Sequence, residues 1–192
     1  MGNSARDWQP TKETVVYQAN GPDEFSLRVD ELRFPSGRVG HYVFAQYPYE
    51  VCFILPMIDH ERLVFIKQFR YPLGRELIEI PAGSPLPGES LEDCARRETE
   101  EETGFRPLKL EYLFPFYPSP GSADLKAHLF IGTELEAVDV DRDPDEITRI
   151  MILEKNAALE AVDSGAIEHV GALLALLWLD RRTPAKRPFF AR

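Results

Sequence analysis

The sequence has 192 residues, of which 44% are hydrophobic and 28% are charged, as in an ordinary globular protein. Its length fits one domain, or one domain with a smaller appendage. The formal net charge of −10 argues against wholesale binding to nucleic acid or to an anionic membrane.

The first part of the chain, residues 14 to about 69, is patterned mostly as β-strands. Phe25, Leu27 and Val29 alternate with polar neighbours, as they would in a half-buried strand. Residues 35–38, PSGR, predict a turn, and HYVFAQ after them predicts a second strand.

Two apolar runs follow, VCFILPMI and LVFIKQF, joined by DHER. They predict a hairpin whose strands lie mostly in the core. RELIEI predicts another short strand that ends at Pro81. A boundary near Tyr47 divides this region, so we expect an N-terminal β region over residues 1–47 and an α/β domain over residues 48–192.

The pattern then changes to a helical period. Small and apolar residues recur at helical spacing: Leu91, Cys94, Ala95 and Thr99. Ser90 is a predicted N-cap, with Asp93 three residues on as its capping-box partner, and Gly104 is a predicted C-cap. We therefore predict a helix over residues 91–103.

The rest of the chain alternates strands and helices. KLEYLFPFY and KAHLFIG predict strands around the loop PSPGSAD, VDVDRDPDE predicts an acidic loop, and ITRIMIL predicts a further strand. Residues 156–162 and 167–182 are predicted to be helical, the second with an apolar stripe. Together the elements predict a mixed α/β (α+β) fold.

The predicted helix carries an unusual acidic run, RRETEEETGF, with four glutamates in five positions. Glu98, Glu101 and Glu102 stand at i, i+3 and i+4 and share one face, whereas Glu100 points away and is expected to be solvated. Like charges so close repel one another unless a cation lies between them. Mg²⁺, or Mn²⁺ as the alternative, prefers oxygen ligands, and a merely solvated acidic face is the competing interpretation.

The flanking residues favour the metal site. The spacing is set by seven residues: Gly83, Glu89, Arg97, Glu98, Glu101, Glu102 and Gly104. The spacing resembles the Nudix box, G-x5-E-x7-R-E-U-x-E-E-x-G-U, in which U is a bulky apolar residue. Every fixed Gly, Glu and Arg matches at the right distance, and Thr99 at the first U position is the one departure.

The resemblance implies a Nudix hydrolase, with a mixed sheet sandwiched between helices, that cleaves a nucleoside diphosphate linked to another moiety. It implies that Glu98, Glu102 and the carbonyl of Ala82 bind the metal. Glu101 would be a further ligand or would lie close behind the ligands. Arg97 would hold a carboxylate of the box in place. Glu89 would support the loop or a further metal.

More of the chain is similar to ADP-ribose and nucleoside-diphosphate-sugar pyrophosphatases. QFRYPLGRELIEIPAG resembles their segment leading into the box, and YPSPGSADLKAHLF resembles their substrate loop. The resemblance implies four substrate-binding residues: Arg70, Glu79, Ser119 and Gly121. By the same resemblance Glu79 would bind sugar hydroxyls or support the metals. The alternatives are a surface ion pair for Arg70, a polar strand position for Glu79 and a plain turn for the other two. Leu125 stands where the subgroup often has an acidic residue, which leaves other nucleotide sugars open.

The same subgroup usually takes its general base from an acidic loop after the box, here DRDPDEIT. Glu146 is the first candidate, followed by Asp143 and Asp145, and a solvated turn is the alternative. The subgroup also exchanges its N-terminal strands with a second subunit, so we expect a homodimer rather than a simple extension of one sheet. The four histidines are scattered, and none is expected to be catalytic.

The sequence thus predicts a Mg²⁺-dependent hydrolase that splits ADP-ribose or a related nucleotide sugar into a nucleoside monophosphate and a sugar phosphate. The alternatives are a pyrophosphatase for another diphosphate, such as GDP-mannose or a dinucleotide, and a nucleotide-sugar sensor without turnover. Cys52 and Cys94 lack the spacing of a zinc site and are expected to be reduced thiols. Without an apolar signal core or a long apolar run, we expect a soluble, cytoplasmic protein.

Overall fold

The computed structural model describes residues 8–19, 21, 24–140 and 148–182. In these residues the chain forms eleven strands, three α-helices and a short 3-10 helix, Tyr71–Leu73. The contacts divide the chain into two compact units: residues 1–50 with 117–126, called here the N-terminal unit, and residues 51–116 with 127–192, called the large unit.

The N-terminal unit is an antiparallel sheet of four strands: β1 (Gln9–Lys12), β2 (Val15–Ala19), β3 (Phe25–Arg33) and β4 (Val39–Gln46). β4 pairs along the whole of β3, from Ser26 opposite Gln46 to Arg33 opposite Val39. β1 and β2 share the other edge of β3. The strands predicted around the PSGR turn are therefore present and paired with each other.

A later loop, residues 117–126, also belongs to the N-terminal unit. The backbone N–H of Ala45 donates to the carbonyl of Ser122 at 2.9 Å, and the N–H of Asp124 donates to the carbonyl of Ala45 at 3.2 Å. The loop thus extends the pairing at the end of β4. The predicted boundary after residue 47 did not anticipate this addition.

The large unit contains two sheets. Its strands are β5 (Val51–Pro56), β6 (Arg62–Arg70), β7 (Arg75–Glu79), β8 (Ala82–Gly83), β9 (Phe105–Phe116), β10 (Ala127–Ala137) and β11 (Thr148–Glu154). One sheet has the order β8-β5-β10-β9, with β5 and β10 parallel, and the other has the order β11-β6-β7. The predicted β5–β6 hairpin is wrong, because the two strands lie in different sheets and only an isolated bridge joins Met57 to Leu63.

The helices are α1 (Leu91–Thr103), α2 (Lys155–Asp163) and α3 (Val170–Arg182). The bounds of α1 match the prediction. Ser90 caps its N-terminus by accepting a hydrogen bond from the N–H of Asp93 at 3.1 Å, and Gly104 ends it in the left-handed conformation at φ 72°. No helix in the described part of the chain is long and apolar enough to cross a membrane.

Strand β5 shows how the helices pack on the sheet. Cys52 and Ile54 are buried in one apolar cluster with Cys94 of α1, whereas Phe53 and Leu55 are buried in a second cluster that includes much of α3. Successive side chains of a strand point to opposite faces, so this sheet lies between helices. The predicted mixed fold is confirmed.

Candidate active site

Arg97 is the centre of the acidic face of α1. Its Nε and Nη2 donate to the two carboxylate oxygens of Glu89, each at 2.9 Å. Its Nη1 donates to Glu98 at 2.7 Å and to Glu101 at 3.0 Å. We call these four residues the Arg97 cluster. One guanidinium thus lies among three carboxylates and offsets the repulsion between their negative charges.

The Arg97–Glu89 pair also attaches the preceding loop to the helix. Hydrogen bonding to Arg97 lowers the pKa of Glu89 below its usual range, and the same contact raises the pKa of Arg97. Arg97 donates to the carbonyl of Ser84 at 3.0 Å, and Glu89 accepts from the N–H of Leu86 at 2.8 Å. The expectation that Glu89 supports the loop is consistent with these contacts.

The strand β8 lies against the same face of α1. A β-carbon built on Gly83 would lie 2.0 Å from the carboxylate carbon of Glu98, so only glycine leaves room for this side chain. The N–H of Ala82 donates to Glu102 at 3.1 Å, and Glu102 is only 6% exposed. Two of the three predicted carboxylate ligands, Glu98 and Glu102, are therefore placed by backbone contacts with β8.

Thr99 and Glu100 of α1 also have hydrogen-bond partners. Thr99, the departure from the box pattern, is fully buried, and its hydroxyl donates to the carbonyl of Ala95 at 2.7 Å. Glu100 is expected from the sequence to be solvated, but it is paired with Arg106, which donates to both of its oxygens, at 2.7 and 2.9 Å. The residue after the C-cap turn supplies this partner, which the helical pattern alone does not show.

A second polar cluster lies at the end of β7. Arg70 donates from Nε and Nη2 to the two oxygens of Glu79, at 2.7 and 2.6 Å. Glu79 is 1% exposed, whereas the side chain of Arg70 is 42% exposed. His169 brings its Nε2 to 3.4 Å from Glu79. No local sequence pattern points to this histidine, because nothing near it in the chain links it to a strand ninety positions away. We call these three residues the Arg70 cluster.

The predicted substrate loop folds as a turn within the N-terminal unit. The carbonyl of Ser119 accepts from the N–H groups of Ser122 at 3.0 Å and Ala123 at 2.9 Å. The carbonyl of Gly121 accepts from the hydroxyl of Tyr42 at 2.8 Å. The candidate general bases, Glu146, Asp143 and Asp145, lie outside the described residues.

Comparison with known proteins identifies the family of this chain. The NUDIX domain family matches residues 48–182. The chain belongs to this family. It is 36% identical over 155 residues to an ADP-ribose pyrophosphatase of Bacillus subtilis, covering 80% of this chain and 83% of that protein.

Other relatives match different lengths of the chain. A methanol dehydrogenase activator of Bacillus methanolicus is 30% identical over 162 residues, covering 83% of this chain and 87% of that protein. An ADP-sugar pyrophosphatase of Mus musculus is 34% identical over 120 residues, covering 59% of this chain and 55% of that protein. The crystal structure of an ADP compounds hydrolase superposes with a TM-score of 0.77 at 18% identity over 93% of this chain and 97% of that one, which shows the shared fold.

Nudix ADP-ribose pyrophosphatases depend on a divalent metal ion, and the residues of α1 can be tested for such a role. Within the described ranges, no three His, Cys, Asp or Glu side chains are grouped closely enough to enclose an ion. The donors that could hold one are all oxygens, from Glu98, Glu101, Glu102 and the carbonyl of Ala82, and oxygen donors suit a hard divalent cation. The space that Gly83 leaves for the Glu98 carboxylate also fits such a site.

Proposed function

We propose that this Nudix protein is a divalent-metal-dependent hydrolase of ADP-ribose or a related nucleoside diphosphate sugar. The products are a nucleoside monophosphate and a sugar phosphate. The observation that carries the proposal is the acidic face of α1, where Arg97 orders the carboxylates and Gly83 makes room for Glu98. Relatives named as ADP-ribose pyrophosphatases support the substrate class.

Mg²⁺ is the proposed ion, with Mn²⁺ as a substitute, because both prefer carboxylate and carbonyl oxygens. The proposed ligands are Glu98, Glu101, Glu102 and the carbonyl of Ala82. When bound, the ion would neutralise phosphate oxygens and lower the pKa of a bound water. The N–H of Ala82 holds Glu102, and Arg97 orients Glu98 and Glu101, so the chain itself aligns the ligands.

The remaining roles concern the substrate and the attacking water. A guanidinium is a planar, fork-shaped donor suited to a diphosphate, and the exposed side chain of Arg70 can meet one. Glu79, with both oxygens on Arg70, acts by orienting that guanidinium. Glu146 is the proposed base that accepts a proton from water. Ser119 and Gly121 remain predicted substrate-loop residues.

We also propose that the protein is a homodimer formed through residues 1–47. Several apolar side chains of the N-terminal unit are about half exposed: Val15 at 54%, Val16 at 53%, Tyr17 at 57% and Val43 at 54%. Apolar side chains left exposed on a sheet support an interface there. Light scattering should give twice the chain mass at micromolar concentration, and Val16→Lys should shift the protein toward monomer. A monomeric wild type would reject the dimer.

The cellular location that we propose is the cytoplasm. Cys52 and Cys94 are both buried and free. Free thiols are the rule where the environment is reducing. Localisation of the tagged full chain in its own cell would test this.

The decisive experiment offers pure protein a panel of ADP-ribose, other nucleoside diphosphate sugars and dinucleotides in the presence of Mg²⁺, and identifies the products by mass. Glu102→Gln should lower turnover by orders of magnitude while the circular dichroism spectrum is unchanged. Glu100→Gln is the matched control, because Glu100 lies on the same helix but pairs with Arg106. Equal activity of Glu102→Gln and wild type would contradict the proposed site.

Three measurements separate the competing functions. Calorimetric binding of a nucleotide sugar without any product would favour a sensor. Turnover of a dinucleotide or GDP-mannose in preference to ADP-ribose would favour another diphosphate specificity. Since one relative is named as a methanol dehydrogenase activator, the panel also includes the rate of a methanol dehydrogenase with and without this protein.

A further inference from the structure

His169 lies next to the buried carboxylate of Glu79 within the Arg70 cluster. It has no role in the proposed chemistry. It stands immediately before α3, where its carbonyl accepts the first helical hydrogen bond, from Leu173 at 2.9 Å. Its side chain is 12% exposed, and its Nε2 is 3.4 Å from an oxygen of Glu79. The helix start therefore delivers a nearly buried imidazole to the carboxylate that holds Arg70.

The position of the ring is closely confined. The Phe53 ring lies 5.3 Å from the His169 ring, centroid to centroid. A β-carbon on Gly171 would lie 2.6 Å from Cδ1 of Phe53 and 3.2 Å from Cε1 of His169. Both rings thus occupy the space that the missing side chain of Gly171 leaves. In a packed interior, such confinement limits the imidazole to few orientations.

The surroundings also determine which ring nitrogen carries the proton. Burial lowers the pKa of His169 below its usual range, which favours the neutral ring at neutral pH; the charge of Glu79 opposes this shift and that of Arg70 adds to it. Nδ1 is buried without a hydrogen-bond partner among the described residues. The 3.4 Å approach of Nε2 to Glu79 is an electrostatic contact and not an aligned hydrogen bond. A proton on Nε2 brings positive charge toward the Glu79 oxygen, whereas a proton on Nδ1 would turn a lone pair toward that negative oxygen.

Glu79 itself needs such a neighbour. It is almost fully buried, and burying a carboxylate costs free energy unless it is paired and hydrogen-bonded. Arg70 meets it from the exposed side with two hydrogen bonds, and His169 meets it on the side of α3. Contacts from two directions restrict rotation of the carboxylate plane, and this plane sets the plane of the guanidinium.

We propose that His169 is a positioning residue for substrate binding: through Nε2–H it orients Glu79, and Glu79 holds the guanidinium of Arg70 toward the diphosphate. This inference rests on the proposed function, in which Arg70 binds the substrate. It assigns no contact between His169 and the substrate or the metal ligands. The effect should therefore fall on substrate affinity and leave the chemical step unchanged.

The test compares three substitutions of His169 in the full chain with Mg²⁺ and the nucleotide sugar that gives turnover. The side-chain amide of Gln reaches the place of Nε2, whereas that of Asn reaches the place of Nδ1. We expect His169→Leu and His169→Asn to raise KM about tenfold with kcat within about twofold of wild type. His169→Gln should restore KM to near the wild-type value.

Glu168→Gln is the matched control, because Glu168 is the neighbouring residue and pairs with Arg75 at the exposed start of β7. It should leave KM unchanged. The inference is overturned if His169→Leu keeps the wild-type KM, or if Asn rescues as well as Gln. It is also overturned if all three substitutions lower kcat and melting temperature together, since that would be a purely structural role.

A measurement without substrate separates this inference from the proposed function. ¹⁵N spectra of histidine should show a proton on Nε2 of His169, and the Nε–H signal of Arg70 should broaden or shift in His169→Leu but not in Glu168→Gln. If these signals behave so while no diphosphate is hydrolysed, the proposed function fails and the orienting contact stands. An Arg70 signal that ignores His169→Leu overturns the inference whatever the activity.

Discussion

The carboxylate of Glu98 occupies the space where a side chain on Gly83 would begin, with 2.0 Å between its carboxylate carbon and an ideal β-carbon at that glycine. Gly83 does not have a positive φ, so alanine would fit its backbone conformation. The glycine is therefore required by the neighbouring carboxylate. This relationship ties the first fixed residue of the box, Gly83, to Glu98 of α1.

Gly83→Ala should consequently separate stability from function. The carboxylate lies at the end of a flexible side chain and can swing away, so we expect the free energy of unfolding to fall by no more than about 1–2 kcal/mol. Turnover and Mn²⁺ binding should fall as far as in Glu98→Gln, measured by product formation and by electron paramagnetic resonance. The double substitution should add little to either single one, because both remove the same interaction. Full additivity would contradict the contact.

Arg97→Lys keeps the positive charge but removes the fork that joins Glu89, Glu98 and Glu101. A lysine cannot make these contacts at once, so Glu98 and Glu101 lose their orientation. We expect metal affinity to fall roughly 10–100-fold, measured by calorimetry. Arg96→Lys is the control, since Arg96 reaches the carbonyl of Pro107 instead, and it should bind metal normally. Equal affinities in the two variants would remove Arg97 from the site.

Thr99→Val restores the apolar residue that the box pattern calls for. Thr99 is fully buried, and its hydroxyl is satisfied only within the helix, by the carbonyl of Ala95. Because valine has nearly the same shape, we expect unfolding in urea to change by no more than about 1 kcal/mol and turnover to remain at the wild-type level. A large loss of activity would show that the hydroxyl has a role beyond packing.

The titration of His169 predicts a dependence of stability on pH. Its pKa in the folded chain is lowered by burial from the usual value of 6.5, so between the two values the unfolded chain binds more protons. Stability is therefore full above the unfolded pKa and falls as the solution becomes more acidic. Urea unfolding at about pH 7.5 and about pH 5.5 should show a larger loss for wild type than for His169→Gln, which does not titrate. Equal losses would mean that His169 titrates alike in both states.

Local signals in the sequence predict helix α1 well. Its two ends depend on Ser90 and Gly104, whose effects act within a few residues, so the bounds of α1 agree with the sequence. The prediction of a β5–β6 hairpin is wrong because strand pairing depends on residues far apart in the sequence. β5 is paired in parallel with β10, more than seventy positions later, and two adjacent apolar runs contain no signal of a distant partner.

The contacts of the candidate site are also of two kinds, local ones that the sequence indicates and distant ones that it does not. The spacing of the box correctly brought Arg97 to the glutamates, because these contacts lie within one helix and the loop before it. The sequence points to Arg70 and Glu79 separately. Their ion pair does not follow from the register of β6 with β7, which places Glu79 opposite Ile66 and Arg70 opposite Arg75. His169 has no counterpart in any sequence pattern, since only the packing of α3 against β7 brings it to Glu79.

Strand β5 contacts the elements that carry both the Arg97 cluster and the Arg70 cluster. The thiol of Cys52 contacts the carbonyl of Leu91 at the start of α1, at 3.4 Å, while the next residue, Phe53, packs against His169. Moving this strand by one position would exchange its two faces and misalign both clusters at once. Insertions inside β5 should therefore be far more damaging than insertions in surface loops, and substrate preference can diversify in those loops while the spacing between the two clusters is preserved.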